Sequence, residues 1–192
     1  PSANQNGEAF GLFAALPDGT VLALNDTSNS RLQVIHNAAD PAAASVDIYI
    51  NGALAINDFE FRKATPYLDV PSNTVLNIGI APSTSSSIND TLVNIPVTLA
   101  NGESYVAIAN GVLTPANFAT NPNAVSTAFQ LILSSGMSES AEVSGNVDFR
   151  VLHGATDAPA VDVVARGVAT LVNNAAYTDF TGYISVPANS YL

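Results

Sequence analysis

A ten-residue segment of this chain occurs twice, and that repetition constrains the fold more than any other feature. Arg31-Leu32-Gln33-Val34-Ile35-His36-Asn37-Ala38-Ala39-Asp40 aligns with Asp148-Phe149-Arg150-Val151-Leu152-His153-Gly154-Ala155-Thr156-Asp157, so the two histidines stand 117 positions apart (153 − 36). The same order of features continues downstream. Ser45-Val46-Asp47, ending in Gly52, corresponds to Ala160-Val161-Asp162, ending in Gly167; Pro66-Tyr67-Leu68-Asp69-Val70-Pro71 corresponds to Gly182-Tyr183-Ile184-Ser185-Val186-Pro187. Two small indels keep the register. Self-similarity at a fixed period means that one supersecondary unit is built more than once. A second match, Gly7-Glu8-Ala9-Phe10 with Gly102-Glu103-Ser104-Tyr105 at a spacing of 95 (102 − 7), places the N-terminal residues at the end of a unit. The sequence therefore predicts three pieces. Residues 1–26 are the last two strands of an upstream repeat, 27–136 a complete repeat, and 145–192 the opening strands of a downstream repeat.

Within the complete unit, short apolar or alternating runs recur between turn residues at 31–36, 46–50, 67–70, 75–80, 92–99, 104–109 and 128–133. Runs of this length bounded by Gly, Pro, Asn and Asp read as strands, and several at regular spacing predict an antiparallel β-sandwich. Leu16-Pro17-Asp18-Gly19-Thr20, between two apolar runs, predicts a hairpin: Pro presets φ and Gly accepts the left-handed conformation. No window of ten or more residues has convincing helical periodicity, so the fold class is all-β. The polar stretches 25–30 and 134–146 read as linkers between repeats.

Charge narrows the function classes. Five Lys and Arg against sixteen Asp and Glu give a formal net charge of −11, with no basic cluster, which argues against nucleic-acid binding. The longest apolar runs fall far short of the roughly 20 residues a membrane-spanning helix needs. With no cysteine, disulfides and thiolate metal sites are excluded.

The residues able to carry chemistry are few. His36 and His153 each stand four residues before an aspartate and read as a metal ligand or base, or more simply as imidazoles bonded to nearby backbone. One His and no Cys per unit are too few ligands for zinc. Asp40 with Asp47, and Asp157 with Asp162, are candidate Ca²⁺ ligands; turn capping is the plainer reading, because no EF-hand spacing accompanies them. No nucleophile elbow, zincin pair or phosphate loop is present, so neither an enzyme nor a cofactor is expected. Tyr49, Phe59, Phe61, Tyr67, Tyr105 and Phe129 offer a sugar-stacking platform if they share an outer face, and core packing if they alternate inward.

Val151-Leu152-His153-Gly154-Ala155-Thr156-Asp157-Ala158-Pro159-Ala160-Val161-Asp162-Val163, followed by Gly167 and Tyr183-Ile184-Ser185-Val186-Pro187, resembles the domain-of-unknown-function family numbered 4397. His36, Asp40, Asp47, Gly52 and Pro71 carry the same signature in the complete unit, which inserts two residues before Val46. The resemblance implies immunoglobulin-like β-sandwich repeats of exported bacterial proteins, without a common activity. It leads to the expectation of a structural or adhesive repeat of an extracellular surface protein or filament, whose partners are neighbouring repeats or other copies of itself. Because one end carries closing strands and the other opening strands, head-to-tail strand complementation between chains is a route to a filament. The alternative is a carbohydrate- or protein-binding module, with surface glycans as partners.

Overall fold

The protein is described by a computed structural model over residues 12–24 and 28–189; regular structure there consists of strands and three single 3-10 turns. β1 (Leu12–Ala15) and β2 (Val21–Leu24) form the predicted hairpin, paired from Leu12 opposite Leu24 to Ala15 opposite Val21. Its turn is closed by the Leu16 N–H on the Thr20 carbonyl at 2.8 Å, with Gly19 at φ +88°. The Gly7–Phe10 match lies outside the described residues.

Eight further strands follow: β3 (Asn29–Ala38), β4 (Ser45–Ile50), β5 (Ala53–Glu60), β6 (Leu68–Pro71), β7 (Val75–Pro82), β8 (Val93–Thr98), β9 (Ser104–Gly111) and β10 (Gln130–Ser135). They form two four-stranded sheets, ordered β10-β9-β3-β6 and β5-β4-β7-β8. All neighbours are antiparallel except β3 and β9, which run parallel from Arg31 opposite Ser104 to Ala38 opposite Gly111. Alternation explains the core. Leu32 and Val34 of β3, Val46 and Ile48 of β4, Leu76, Ile78 and Ile80 of β7, and Ala107 of β9 join one buried cluster to which both sheets contribute. The opposite face of β3, which carries Arg31, Gln33, Ile35 and Asn37, is half-buried rather than exposed, because a further layer lies over it.

Seven strands are expected in this unit and eight are present. The additional one, β5, is an edge strand whose apolar run Ala53–Ile56 is mostly exposed and follows β4 after only the Asn51-Gly52 turn. β4 and β5 pair within one sheet, whereas the second and third strands of an immunoglobulin domain lie in opposite sheets.

The second copy of the repeated segment contains β11 (Asn146–Phe149), β12 (Val161–Ala165), β13 (Ala169–Ala175) and β14 (Ile184–Pro187). β11 pairs with β14 and β12 with β13, as β3 pairs with β6 and β4 with β5. Even the ends agree: Asn29 opposes Pro71, and Asn146 opposes Pro187. Packing differs sharply. Val46 is 7% exposed and its counterpart Val161 36%; Val147 and Val164 are 49% and 55% exposed. Among the described residues, β11 and β12 each have a single neighbouring strand.

The segment between the copies is anchored. The Met137 N–H reaches the Ser104 carbonyl at 3.1 Å, and the Arg31 guanidinium forks onto Glu139 with both contacts at 2.9 Å.

Candidate functional site

His36 stands in the inward row of β3, between Val34 and Ala38, and is 2% exposed. Its Nε2 lies 2.7 Å from the Ala43 carbonyl and its Nδ1 accepts the Ala38 N–H at 3.3 Å, which fixes a neutral tautomer with the proton on Nε2. Burial pushes its pKa below the ordinary histidine value, and the Ala43 carbonyl offsets this only in part. His153 repeats the first of these contacts, with Nε2 2.9 Å from the Pro159 carbonyl. Each histidine also stands edge-on to an equivalent aromatic ring, Phe61 at 6.0 Å and Tyr177 at 6.3 Å. Each imidazole thus ties the loop that follows it to the segment that carries it.

Asp47 and Asp162 do a second job. In the β4–β5 pairing, the register slips between Val46/Phe59 and Ile48/Ile56, leaving one extra residue on β5, and Asp58 there has φ +52°. Asp47 Oδ1 accepts the Asp58 N–H at 2.9 Å, and Oδ2 accepts the Ser85 hydroxyl at 2.5 Å; Ser85 Oγ also lies 2.9 Å from the Tyr49 hydroxyl. Asp162 Oδ1 likewise accepts the Asn174 N–H at 2.7 Å, at a matching bulge where Asn174 has φ +54°. The aspartate satisfies the donor that a bulge removes from the ladder.

Asp40 and Asp157 are not equivalent, despite the alignment. Asp40 Oδ1 caps a 3-10 turn through the Ala42 N–H, and Oδ2 accepts the Leu113 N–H, both at 2.9 Å. Asp157 is exposed, and the residue two places on is Pro159, which has no N–H to donate. Gly52, at φ +88° after Asn51 at φ +50°, makes the two-residue β4–β5 turn, and Gly167, at φ +75°, turns β12 into β13. Pro71 and Pro187 end edge strands, where no ladder donor is needed. Among the described residues, no three His, Asp or Glu side chains converge as an ion-binding set.

Two further members of the signature escaped the sequence reading. Thr65 Oγ1 accepts the Val34 N–H and Thr181 Oγ1 accepts the Val151 N–H, each at 2.9 Å, while their own N–H groups return to the carbonyls of the same valines. Extending the Pro66-Tyr67 and Gly182-Tyr183 match by one residue upstream reveals them.

The two copies face each other across a cleft of about 850 Å³. Equivalent residues line it from both sides: Gln33 and Arg150, Ile35 and Leu152, Asn37 and Gly154, Tyr67 and Tyr183. Buried polar contacts close one flank. Asn110 Nδ2 donates to the Tyr177 hydroxyl at 3.0 Å, Asn37 Nδ2 to Asn110 Oδ1 at 2.8 Å, and Asn121 Nδ2 to the Thr156 carbonyl at 3.0 Å. A Cβ on Gly154 would lie 2.2 Å from Asn37 Nδ2, so this approach needs glycine. Arg150 stacks on Phe180 at 4.0 Å, and Arg31 lies 5.7 Å from the centre of Tyr67. Burial, then the nearby Tyr183 and Glu139, push the Tyr67 pKa up. The aromatic set therefore divides. Phe59 lies in the core with Tyr105 and Phe129 packed against it, Tyr49 is buried beside Ser85, and Phe61 and Tyr67 reach the cleft.

The family described as "Domain of unknown function (DUF4397)" matches residues 30–164 and, a second time, residues 147–192. No curated protein matches the chain.

Proposed function

The chain belongs to domain-of-unknown-function family 4397, and on that premise we propose that it is a structural or adhesive repeat of an extracellular bacterial surface protein or filament. In this reading the units are tandem two-layer sandwiches, immunoglobulin-like in layering but with their own strand order, and their ends are completed by neighbouring repeats or by other copies of the chain. One observation carries the proposal. The side chains that recur in both copies, His36 with His153 and Asp47 with Asp162, are bonded to the backbone of their own copy rather than presented to a ligand. Recurrent residues that fix loops and bulges build a unit; they do not act on a substrate, and no catalysis is assigned to them. Small-angle scattering of the purified chain tests the reading: fixed mutual placement of the copies gives one rigid elongated particle, whereas a profile requiring two independently moving bodies refutes it.

The cleft supports a second reading, a carbohydrate- or protein-binding module, because Tyr67, Tyr183, Phe61 and Phe180 line it beside Arg62 and Arg150. Saturable binding on a glycan array, abolished by Tyr67→Ala, favours that module over a purely structural role.

A further inference from the structure

The copies meet through equivalent surfaces, the arrangement of an isologous, two-fold contact rather than of beads stacked head to tail. Under such symmetry, every contact made by one side has a mirror on the other. The first copy places β9 and the loop after it against the second, through Asn110 on Tyr177 and Asn121 on the Thr156 carbonyl. The mirror positions on the first copy are Phe61, which corresponds to Tyr177, and Ala39, which corresponds to Thr156. Both line the open cleft. What belongs there is the counterpart of β9 and β10, against the edge formed by β11 and the residues that continue it.

The edge of the second copy is prepared for such a strand. The N–H groups of Val151 and His153 are engaged on the β14 side, with Thr181 Oγ1 and the Asp179 carbonyl. By strand alternation, the main-chain groups of Arg150 and Leu152 point to the other side, where β9 runs in the first copy.

The hairpin β1–β2 has the register this edge requires. With the spacing of 95 found in the sequence, its pairs Leu12–Leu24 through Ala15–Val21 superpose on Ala107–Leu133 through Asn110–Gln130 of β9–β10. We propose that the cleft flank of residues 150–154, the stretch that continues β11, is a strand-docking site whose occupant is the β1–β2 hairpin of a second copy of this chain. β1 runs parallel to residues 151–154, with Phe13 opposite Leu152 as Ile108 lies opposite Ile35. This deepens the repeat reading and rests on it. The hairpin completes one sheet of the second unit; counterparts of β7 and β8 are not supplied by it.

The absence of cysteine makes the register directly testable. Phe13→Cys and Leu152→Cys proteins are mixed, oxidised mildly and read by non-reducing gel and peptide mass spectrometry; the double variant is oxidised alone. The docking predicts a 13–152 disulfide between chains, about tenfold more abundant than the link formed when Val151→Cys, whose side chain faces the other way, replaces Leu152→Cys. The double variant should give a ladder of covalent oligomers. Equal yields for the two partners, or a link formed only within one chain, overturn the docking. A separate Val147→Cys/Val186→Cys variant reports the β11–β14 pair. If it cross-links while 13–152 does not, the docking alone is wrong; if neither forms, the repeat reading fails as well.

Discussion

Replacing Asp47, itself 1% exposed, with alanine removes the acceptor for two donors. The Asp58 N–H, at φ +52° in the bulge, loses its Asp47 acceptor, while the Ser85 hydroxyl keeps Tyr49. A donor left unsatisfied costs about 1–3 kcal/mol, and because Ser85 retains Tyr49 only the Asp58 N–H is orphaned, so the loss is about 1–3 kcal/mol against the about 5–15 kcal/mol that holds a domain folded. Asp47→Asn keeps the oxygen facing Asp58 and turns an amide toward Ser85, which can accept instead of donate; its cost should be near 1 kcal/mol. Urea denaturation followed by tyrosine fluorescence distinguishes the two. With a slope of about 2 kcal/mol per M, the alanine variant should lose about 0.5–1.5 M in midpoint and the asparagine variant at most about 0.5 M. An alanine variant within 0.5 M of the parent, or an asparagine variant as weak as alanine, would show that acceptance of the bulge N–H is not what Asp47 contributes.

Acid should weaken the protein in two separate ranges. His36 has a depressed folded pKa, so its stabilising contribution is complete above the unfolded value of about 6.5 and is lost as pH falls from there toward the folded value; His36→Gln should flatten the urea midpoint between pH 7 and 5. Asp18, Asp90 and Glu139, lowered respectively by the Thr20 N–H, the Ser86 N–H and Arg31, lose their contributions only below about pH 4. Thr65→Val and Thr181→Val each leave a strand N–H without its acceptor and should cost about 1–2 kcal/mol by the same urea assay, with Thr65→Ser close to neutral. Gly111→Ala combines φ +89° with a Cβ 2.6 Å from the Ala128 carbonyl oxygen, whereas Gly102→Ala at φ +76° meets open space. The first should lose at least about 2 kcal/mol and the second about 1 kcal/mol in thermal melts; equal losses would contradict the close approach.

Much of this was legible because period and alternation are local properties. The strands carrying His36, Asp47 and their partners announce themselves by apolar rows, and the repeat fixes their equivalents. β5 did not stand apart, since its apolar residues 53–56 directly follow β4 across a two-residue turn and are mostly exposed, and the eighth strand appears only in the pairing. The inequality of Asp40 and Asp157 is present in the sequence as Pro159, but its meaning depends on the Leu113 N–H, which is brought to Asp40 by folding across 73 residues. The cleft was illegible for a different reason. Nothing in the row Gln33, Ile35, Asn37 distinguishes a solvated face from one that meets its own counterpart, and only Gly154, set where the first copy has Asn37, hints at close approach.

The parallel seam between β3 and β9 has a consequence in time. Arg31 waits for Ser104, 73 positions later in the chain (104 − 31), before that flank of its strand is covered. At about 5–20 residues per second of synthesis, the nascent strand stays open for roughly 4–15 s. Such remote closure also makes folding slow once the chain is released. A protein assembled from several of these units would expose one sticky margin per unit to its neighbours throughout that interval, so the order in which seams close decides whether they close within a unit or between units.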